Sequence, residues 1–307
     1  MTRLSALSRS GITMLGAILA VVPSLQARSC SGNGDVVGSF GWLGVRTSDF
    51  VPAAMTPIRA ASGSSTPIGS LLAGAANTSA FTSVGRVFLD GNGAILATST
   101  PGGAQTSVGT YTVNGDCTVS ATFTDAFLTA ASNGVAPTPA SATFEGVVVE
   151  VGNEIDLVQT GTVTGTALTL RKTRQSCTID GVFDAFGLSA TGVTTTTPAP
   201  LAGGASTSTS TTTPFSIVGR FVADGAGNLV EDAIAQASPL NDRKLTGTYT
   251  VNMDCTGTAT LITADGKKRG ANFVIVTLGA DLSDGLQALE LAFTDSGVVG
   301  SGLAQQQ

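Results

Sequence analysis

The sequence predicts an all-β protein: two tandem eight-stranded up-and-down antiparallel β-barrels behind a signal peptide. Three observations predict it. The chain is written twice, its composition suits short strands, and turn signals recur at strand-length intervals. Phe81-Thr-Ser-Val-Gly-Arg86 returns as Phe215-Ser-Ile-Val-Gly-Arg220, and Gly109-Thr-Tyr-Thr-Val-Asn-Gly-Asp-Cys117-Thr returns as Gly247-Thr-Tyr-Thr-Val-Asn-Met-Asp-Cys255-Thr. A period of roughly 135–147 residues is domain-sized, so the repeat is a duplicated domain and not a solenoid. The 307 residues allow two such domains, each long enough for a core. Only 12% of residues are charged, the net charge is −6 and histidine is absent. With no basic run longer than Arg171-Lys172-Thr173-Arg174, a nucleic-acid surface is not expected.

The elements follow in order. Met1–Ser10 carries Arg3 and Arg9 without an acid, and Ile12–Val22 is an apolar run closed by Pro23. This pattern reads as a secretory signal over residues 1–27, too short for a comfortable membrane span. An uncleaved anchor is the alternative. A lipoprotein lipidated at Cys30 is disfavoured because Arg28 stands where a small residue is needed. Export implies a periplasmic, cell-surface or extracellular protein, with no integral membrane segment once the signal is removed.

The first repeat spans residues 30–172, with strands expected over Val36–Gly44, Phe81–Leu89, Ala94–Thr98, Thr106–Asn114, Thr118–Phe123, Ala142–Val151, Glu154–Gln159 and Val163–Arg171. The second spans 177–307, with strands over Gly181–Ser189, Phe215–Ala223, Leu229–Ala237, Lys244–Asn252, Gly257–Thr263, Ala271–Leu278, Leu286–Thr294 and Val298–Gln305. The join falls at about Thr173–Ser176, and each barrel is expected to fold separately. Asp224-Gly-Ala-Gly227, Asp265-Gly266 and Asp295-Ser-Gly297 supply hairpin chemistry, and no helical stretch intervenes, so the sheet is a meander. Eight such strands remove their exposed edges most economically by closing.

Within Leu245–Val251 one face carries Leu245, Gly247, Tyr249 and Val251, while the other is threonine throughout, the pattern of a half-buried strand. Phe215–Ala223 is different. Val218 and Val222 punctuate its outer face, which predicts that the sister barrel covers it. Long insertions at Pro52–Ser79 and Thr191–Thr213 follow the first strand of each copy, and Asp125–Pro139 lengthens another hairpin. The Thr191–Thr213 run is too poor in large apolar residues to bury a core. Each insertion is either a lid over a barrel mouth or a neutral surface loop.

Four cysteines permit three connectivities. Each copy opens with one cysteine and carries the second in its Asp-Cys-Thr motif. Equivalent positions form equivalent bonds, which predicts Cys30–Cys117 and Cys177–Cys255, in keeping with export. A metal site is not expected from cysteines so dispersed, and no cofactor is implied.

The order of a leading cysteine, a Gly-x-Phe strand, Val-Gly-Arg, Asp-Gly-x-Gly, Gly-Thr-Tyr-Thr-Val-Asn-x-Asp-Cys-Thr and a closing Val-x-Gly strand resembles a group of exported bacterial proteins with calycin-like barrels. That is the barrel shape of lipocalins and allene oxide cyclase. The resemblance covers both copies and implies fold and disulfides. It brings no catalytic residue, and the Gly-x-Trp signature of lipocalins is out of place around Trp42.

Candidate chemistry is sparse. Without histidine there is no Ser-His-Asp or Cys-His arrangement. Glu150, Glu154 and Asp156 share one hairpin, against Asp281 and Asp284 in the second copy, and read as solvated acids in place of a glycosidase pair. Asp90 and Asp224 offer one carboxylate each to their turns, which is too little for calcium. Asp116 and Asp254, Arg86 and Arg220, and Tyr111 and Tyr249 recur in both copies, as turn caps, barrel-end or core groups, or ligand contacts. No catalytic residue is assigned. Three functions remain in view: a non-catalytic exported barrel binding a small apolar ligand, a structural or adhesive cell-surface module, and an enzyme of cyclase or isomerase type resting on barrel shape alone.

Overall fold

The computed structural model describes residues 29–46, 81–98, 105–124, 141–160, 166–196, 211–236, 246–262, 266, 268–279 and 286–307. The expected signal peptide, the insertions Pro52–Ser79 and Asp125–Pro139, Leu245, Asp281 and Asp284 lie outside these residues. Among the described residues no helix is long and apolar enough to cross a membrane.

The first barrel consists of β1 (Gly38–Arg46), β2 (Phe81–Leu89), β3 (Ala94–Thr98), β4 (Gln105–Val113), β5 (Thr118–Thr124), β6 (Ser141–Val149), β7 (Glu154–Thr160) and β8 (Thr166–Lys172). The second consists of β9 (Phe183–Thr196), β10 (Thr211–Asp224), β11 (Asn228–Gln236), β12 (Thr246–Val251), β13 (Thr256–Ile262), β14 (Lys268–Leu278), β15 (Leu286–Phe293) and β16 (Val298–Gln306). Every strand pairs antiparallel with its neighbour in sequence, and β8 and β16 return to β1 and β9 to close each sheet. Period-two burial makes each interior: β5 alternates half-buried Thr118, Ser120 and Thr122 with buried Val119, Ala121 and Phe123.

Some boundaries differ from expectation. Val36 belongs to a 3-10 turn before β1, and the segment after Val149 is another such turn. The Thr191–Thr213 run contributes paired strand at both ends, with Thr196 opposite Thr211 and Val193 opposite Pro214. Threonine and valine are β-branched and pair well on an exposed ladder even where they cannot form a core.

Each barrel has two unlike ends. Short hairpins at 90–93, 114–117 and 150–153 close one end of the first, and the disulfide Cys30–Cys117 pins the incoming chain across it. Cys177–Cys255 does the same in the second barrel. The connections 47–80, 99–104, 125–140 and 161–165 all leave the opposite end of the first barrel, as do 197–210 and 237–245 in the second.

The barrels pack on each other through different faces. The first offers the exterior of β1, β2 and β8, and the second the exterior of β14, β15 and β16. Val274, Val276 and Ala288 are fully buried there, with Val84, Leu278 and Leu303 against them. An added Cβ on Gly41 would stand 2.7 Å from methyls of both Val274 and Val276, so only glycine lets β1 approach this closely. Thr82 Oγ1 donates to Gly300 O at 2.9 Å, and Thr173 Oγ1 to Ile275 O at 2.6 Å. The covered exterior is therefore on β14 and β15. Val218, expected to be covered, is 60% exposed. Its valines reflect strand propensity on a solvated face, which apolar pattern alone does not distinguish from contact.

Candidate functional site

Register shows which interior positions correspond. Trp42 lies opposite Gly85 and Leu170, while Leu188 lies opposite Gly219 and Ala304. Six residues beyond the second cysteine stands Phe123 in one barrel and Leu261 in the other. The bonds from Val148 N to Cys117 O and from Ile275 N to Cys255 O align β6 with β14, which puts Ala271 where Phe144 stands. At these positions the first barrel is filled. Trp42 lies so close over Gly85 that an added Cβ would meet its Nε1 at 2.7 Å, and Phe123 meets Phe144 edge-on with centroids 5.2 Å apart.

The second barrel replaces Trp42, Leu170, Phe123 and Phe144 by Leu188, Ala304, Leu261 and Ala271. It recovers part of the volume with Phe221, stacked on Phe186 at 5.3 Å, and with Phe273. What remains is a cavity of about 50 Å³ lined by Leu188, Ala259, Leu261, Ala271, Leu291 and neighbouring apolar side chains. Tyr249 and Val182 line it towards the disulfide end, and Arg269, Gly270 and Phe293 towards the end from which the long connections leave. Arg269 is its one charged lining residue, half exposed and 3.3 Å from Asp295. Such a lining offers dispersion and hydrophobic contact to an apolar guest, and a cavity without polar partners does not hold water well.

A second concavity, about 220 Å³, lies beside Cys30–Cys117 and includes Asp35 and Glu150. Asp35 is engaged there by Ser31, whose N and Oγ each donate to it at 2.6 Å. That groove is broader, but Asp35 is already engaged and Glu150 Oε2 accepts from Gly279 N at 3.4 Å, so the apolar cavity is the better candidate.

The recurring polar residues have structural partners. Asp116 Oδ1 accepts from Thr118 N and Oγ1, and Asp254 Oδ1 from Thr256 N and Oγ1. These bonds hold the Asp116 carboxyl below its ordinary value, Thr118's hydroxyl contributing most. Asp90 and Asp224 each accept two turn amides and are likewise lowered, Asp90 chiefly by the Ala94 amide and Asp224 chiefly by the Asn228 side-chain amide that bonds its other oxygen. Arg86 Nη2 donates to Ser39 Oγ and to the carbonyls of Arg174 and Gln175, so it fastens the inter-barrel linker. Tyr249 donates to Val182 O at 2.7 Å, and Tyr111 to Asn33 O at 3.3 Å while accepting from Gly91 N. Burial is the main reason that both phenols lie above their ordinary value.

The expected solvated acids of the β6–β7 hairpin need one correction. Glu154 is mostly buried and holds Arg171 bidentately at 2.7 and 3.1 Å. Arg171 also reaches Glu290 Oε1 of the second barrel at 2.6 Å. Glu290 is fully buried, its Oε2 lacks a hydrogen-bond partner among the described residues, and burial pushes its carboxyl up to about 7 against the attraction of Arg171. Burial lowers the Arg171 guanidinium, but the two carboxylates outweigh it and hold it above its ordinary value. Sequence reasoning passed over this pair. The available signal was one charge, Glu290, set between Leu289 and Leu291 on an apolar strand.

No protein-family model matches this chain, and no curated protein matches it.

Proposed function

We propose that the chain is an exported, non-catalytic tandem barrel of calycin-like type whose second barrel binds a small apolar ligand. The observation that carries this reading is the carbon-lined cavity at the position that Trp42 and its neighbours fill in the first barrel. A duplicated barrel that keeps its frame but holds four smaller residues where its sister holds large ones has space at this site among the described residues. The ligand enters from the end that bears the long connections and Arg269, the end where loops can vary without disturbing the disulfide-tied floor. Two disulfides support residence in an oxidising compartment, whether periplasm, cell surface or medium.

Xenon, an apolar probe small enough for cavities of this kind, tests the reading by nuclear magnetic resonance. Methyl signals of Leu188, Leu261 and Ala271 are expected to shift, those of Leu168 and Leu170 to stay, and Leu188→Trp to abolish the shifts. Silence from the second barrel would overturn the reading. Native mass spectrometry of protein from its own host then identifies the natural guest.

The first barrel favours a different role. Its filled interior and its contacts with the second barrel favour reading it as a support for its sister, a role akin to the structural-module alternative.

A further inference from the structure

The contact between the two barrels is heterologous: it joins two different faces of one repeated fold. The first barrel uses its β1–β2–β8 exterior, and the second its β14–β15–β16 exterior. β8 and β16 already take part in that contact, so duplication leaves each barrel with two of the three strands of the face that its sister uses. On the first barrel this is the exterior of β6 and β7, and on the second the exterior of β9 and β10.

The free faces keep much of the contact chemistry. Val147 and Val149 occupy the positions of buried Val274 and Val276, yet Val147 is 46% exposed and the neighbouring Val158 57% exposed. Val218 occupies the position of Val84 and is 60% exposed. Gly187 stands where Gly41 admits the facing valines, and the Gln307 side chain, held by Arg220 Nε at 3.0 Å, lies nearest to where a Cβ would stand there. The recurring charges fit the same scheme. Across the internal contact, the negative charge of Asp254 in the second barrel acts on Arg86 in the first. Arg220 and Asp116 are their counterparts and both are exposed, with Arg220 Nε donating to Gln307 Oε1 at 3.0 Å and Asp116 accepting from Thr118. Gln305 stands where Arg171 does, so the buried ion pair has no counterpart and the free contact is the weaker one.

We propose that a second copy of this chain docks head-to-tail, its β6–β7 face covering the β9–β10 face of the first as β14–β15 covers β1–β2 within the chain. Because the contact is heterologous, each docked copy presents the same free face again, so that the assembly grows until rotation closes it or continues as a filament.

Sedimentation velocity of the full chain up to about 200 µM, the range suited to a small, reversible contact, reads this directly. Mass is expected to rise with concentration. Val218→Asp and Val158→Asp each poison one face only, at exposed sites where the thermal transition should not move. Each variant alone is expected to stay monomeric, while the equimolar mixture forms a one-to-one dimer through the two intact faces. A wild type monomeric throughout would overturn the proposal. So would association that survives either substitution, or a mixture of the two variants that stays monomeric although the wild type associates.

Discussion

The first barrel closes over Trp42, Phe123 and Phe144, whereas the second holds Leu188, Leu261 and Ala271 at those points and keeps a cavity. Their floors do not differ in kind. Both have a disulfide, an aspartate-capped turn, a left-handed cysteine (φ 65° at Cys117, 67° at Cys255) and a tyrosine that bonds the incoming chain. The frame is thus held at one end of each barrel, by residues that the duplication retained. The interior above it is free to be filled or hollow. The outer faces differ as well: the first barrel supplies the arginine of the inter-barrel contact, and the second supplies the buried acid.

The largest way to break this arrangement is to remove that arginine. Arg171→Met leaves Glu290 buried without a partner, a change that costs about 3–5 kcal/mol at a buried ion pair. Chemical denaturation above pH 7 is expected to show it, with the two barrels unfolding in separate steps once their contact is weakened. In acid, where Glu290 takes up a proton, the loss should shrink. A full-sized loss at every pH would point to lost packing of the arginine stem in place of an orphaned charge.

Next comes the shared floor. Cys30 and Cys117 are 87 residues apart, and Cys177 and Cys255 are 78 apart, so the two bonds constrain loops of similar length. Replacing either pair by alanine is expected to cost its own barrel about 2–5 kcal/mol. Calorimetry of the two variants sharpens the comparison, because near-equal shifts mean that the floors bear equal weight despite unlike interiors.

Glu290 also gives the inter-barrel contact a pH dependence. Its folded value, about 7, lies above the ordinary 4.5, so the folded protein holds this proton where the unfolded chain has lost it. The contribution is complete below about pH 4.5 and is lost as pH rises through 7, on the order of 3 kcal/mol over the window. Arg171, Glu154 and Asp156 are the charged groups that act on Glu290 across the contact. The turn aspartates Asp90, Asp116 and Asp224 run the opposite way, their contribution fading only in more acidic solution. Denaturation midpoints between pH 5 and 8 should therefore fall for the wild type and stay flatter for Glu290→Gln.

Much of the fold was legible in the sequence because its signals are local. Period-two alternation, Asp-Gly turns and the repeat itself specify strands, hairpins and closure without knowledge of distant neighbours. The disulfides followed from the same repetition. The face that contacts the sister barrel was not legible. Val218 and Val274 are both outward valines on strands, and only tertiary placement distinguishes exposed from buried. The cavity was hidden for a related reason. It comes from the sum of several smaller residues on β9, β13, β14 and β16, and whether Phe221 and Phe273 refill that volume depends on packing that no single strand records. Glu154 read as solvated because its partner Arg171 lies on the next strand and its relay, Glu290, in the other barrel.

The smallest expected effect compares the two tyrosines. Both hydroxyls bond backbone at the floor of their barrels, but Tyr249 reaches Val182 O at 2.7 Å and Ile179 O at 3.3 Å, whereas Tyr111 reaches Asn33 O at 3.3 Å and also accepts from Gly91 N at 3.0 Å. Phenylalanine preserves each ring and removes only these bonds, for an expected loss of about 0.5–1.5 kcal/mol in either barrel. At Tyr111 the substitution also strands the Gly91 amide, which is only part-buried and can turn to water, so the two losses should be similar. Tyr249 in addition lines the cavity. If its hydroxyl serves the floor alone, Tyr249→Phe lowers stability and leaves xenon binding intact. Unchanged stability with lost binding would instead make the phenol a contact for the guest.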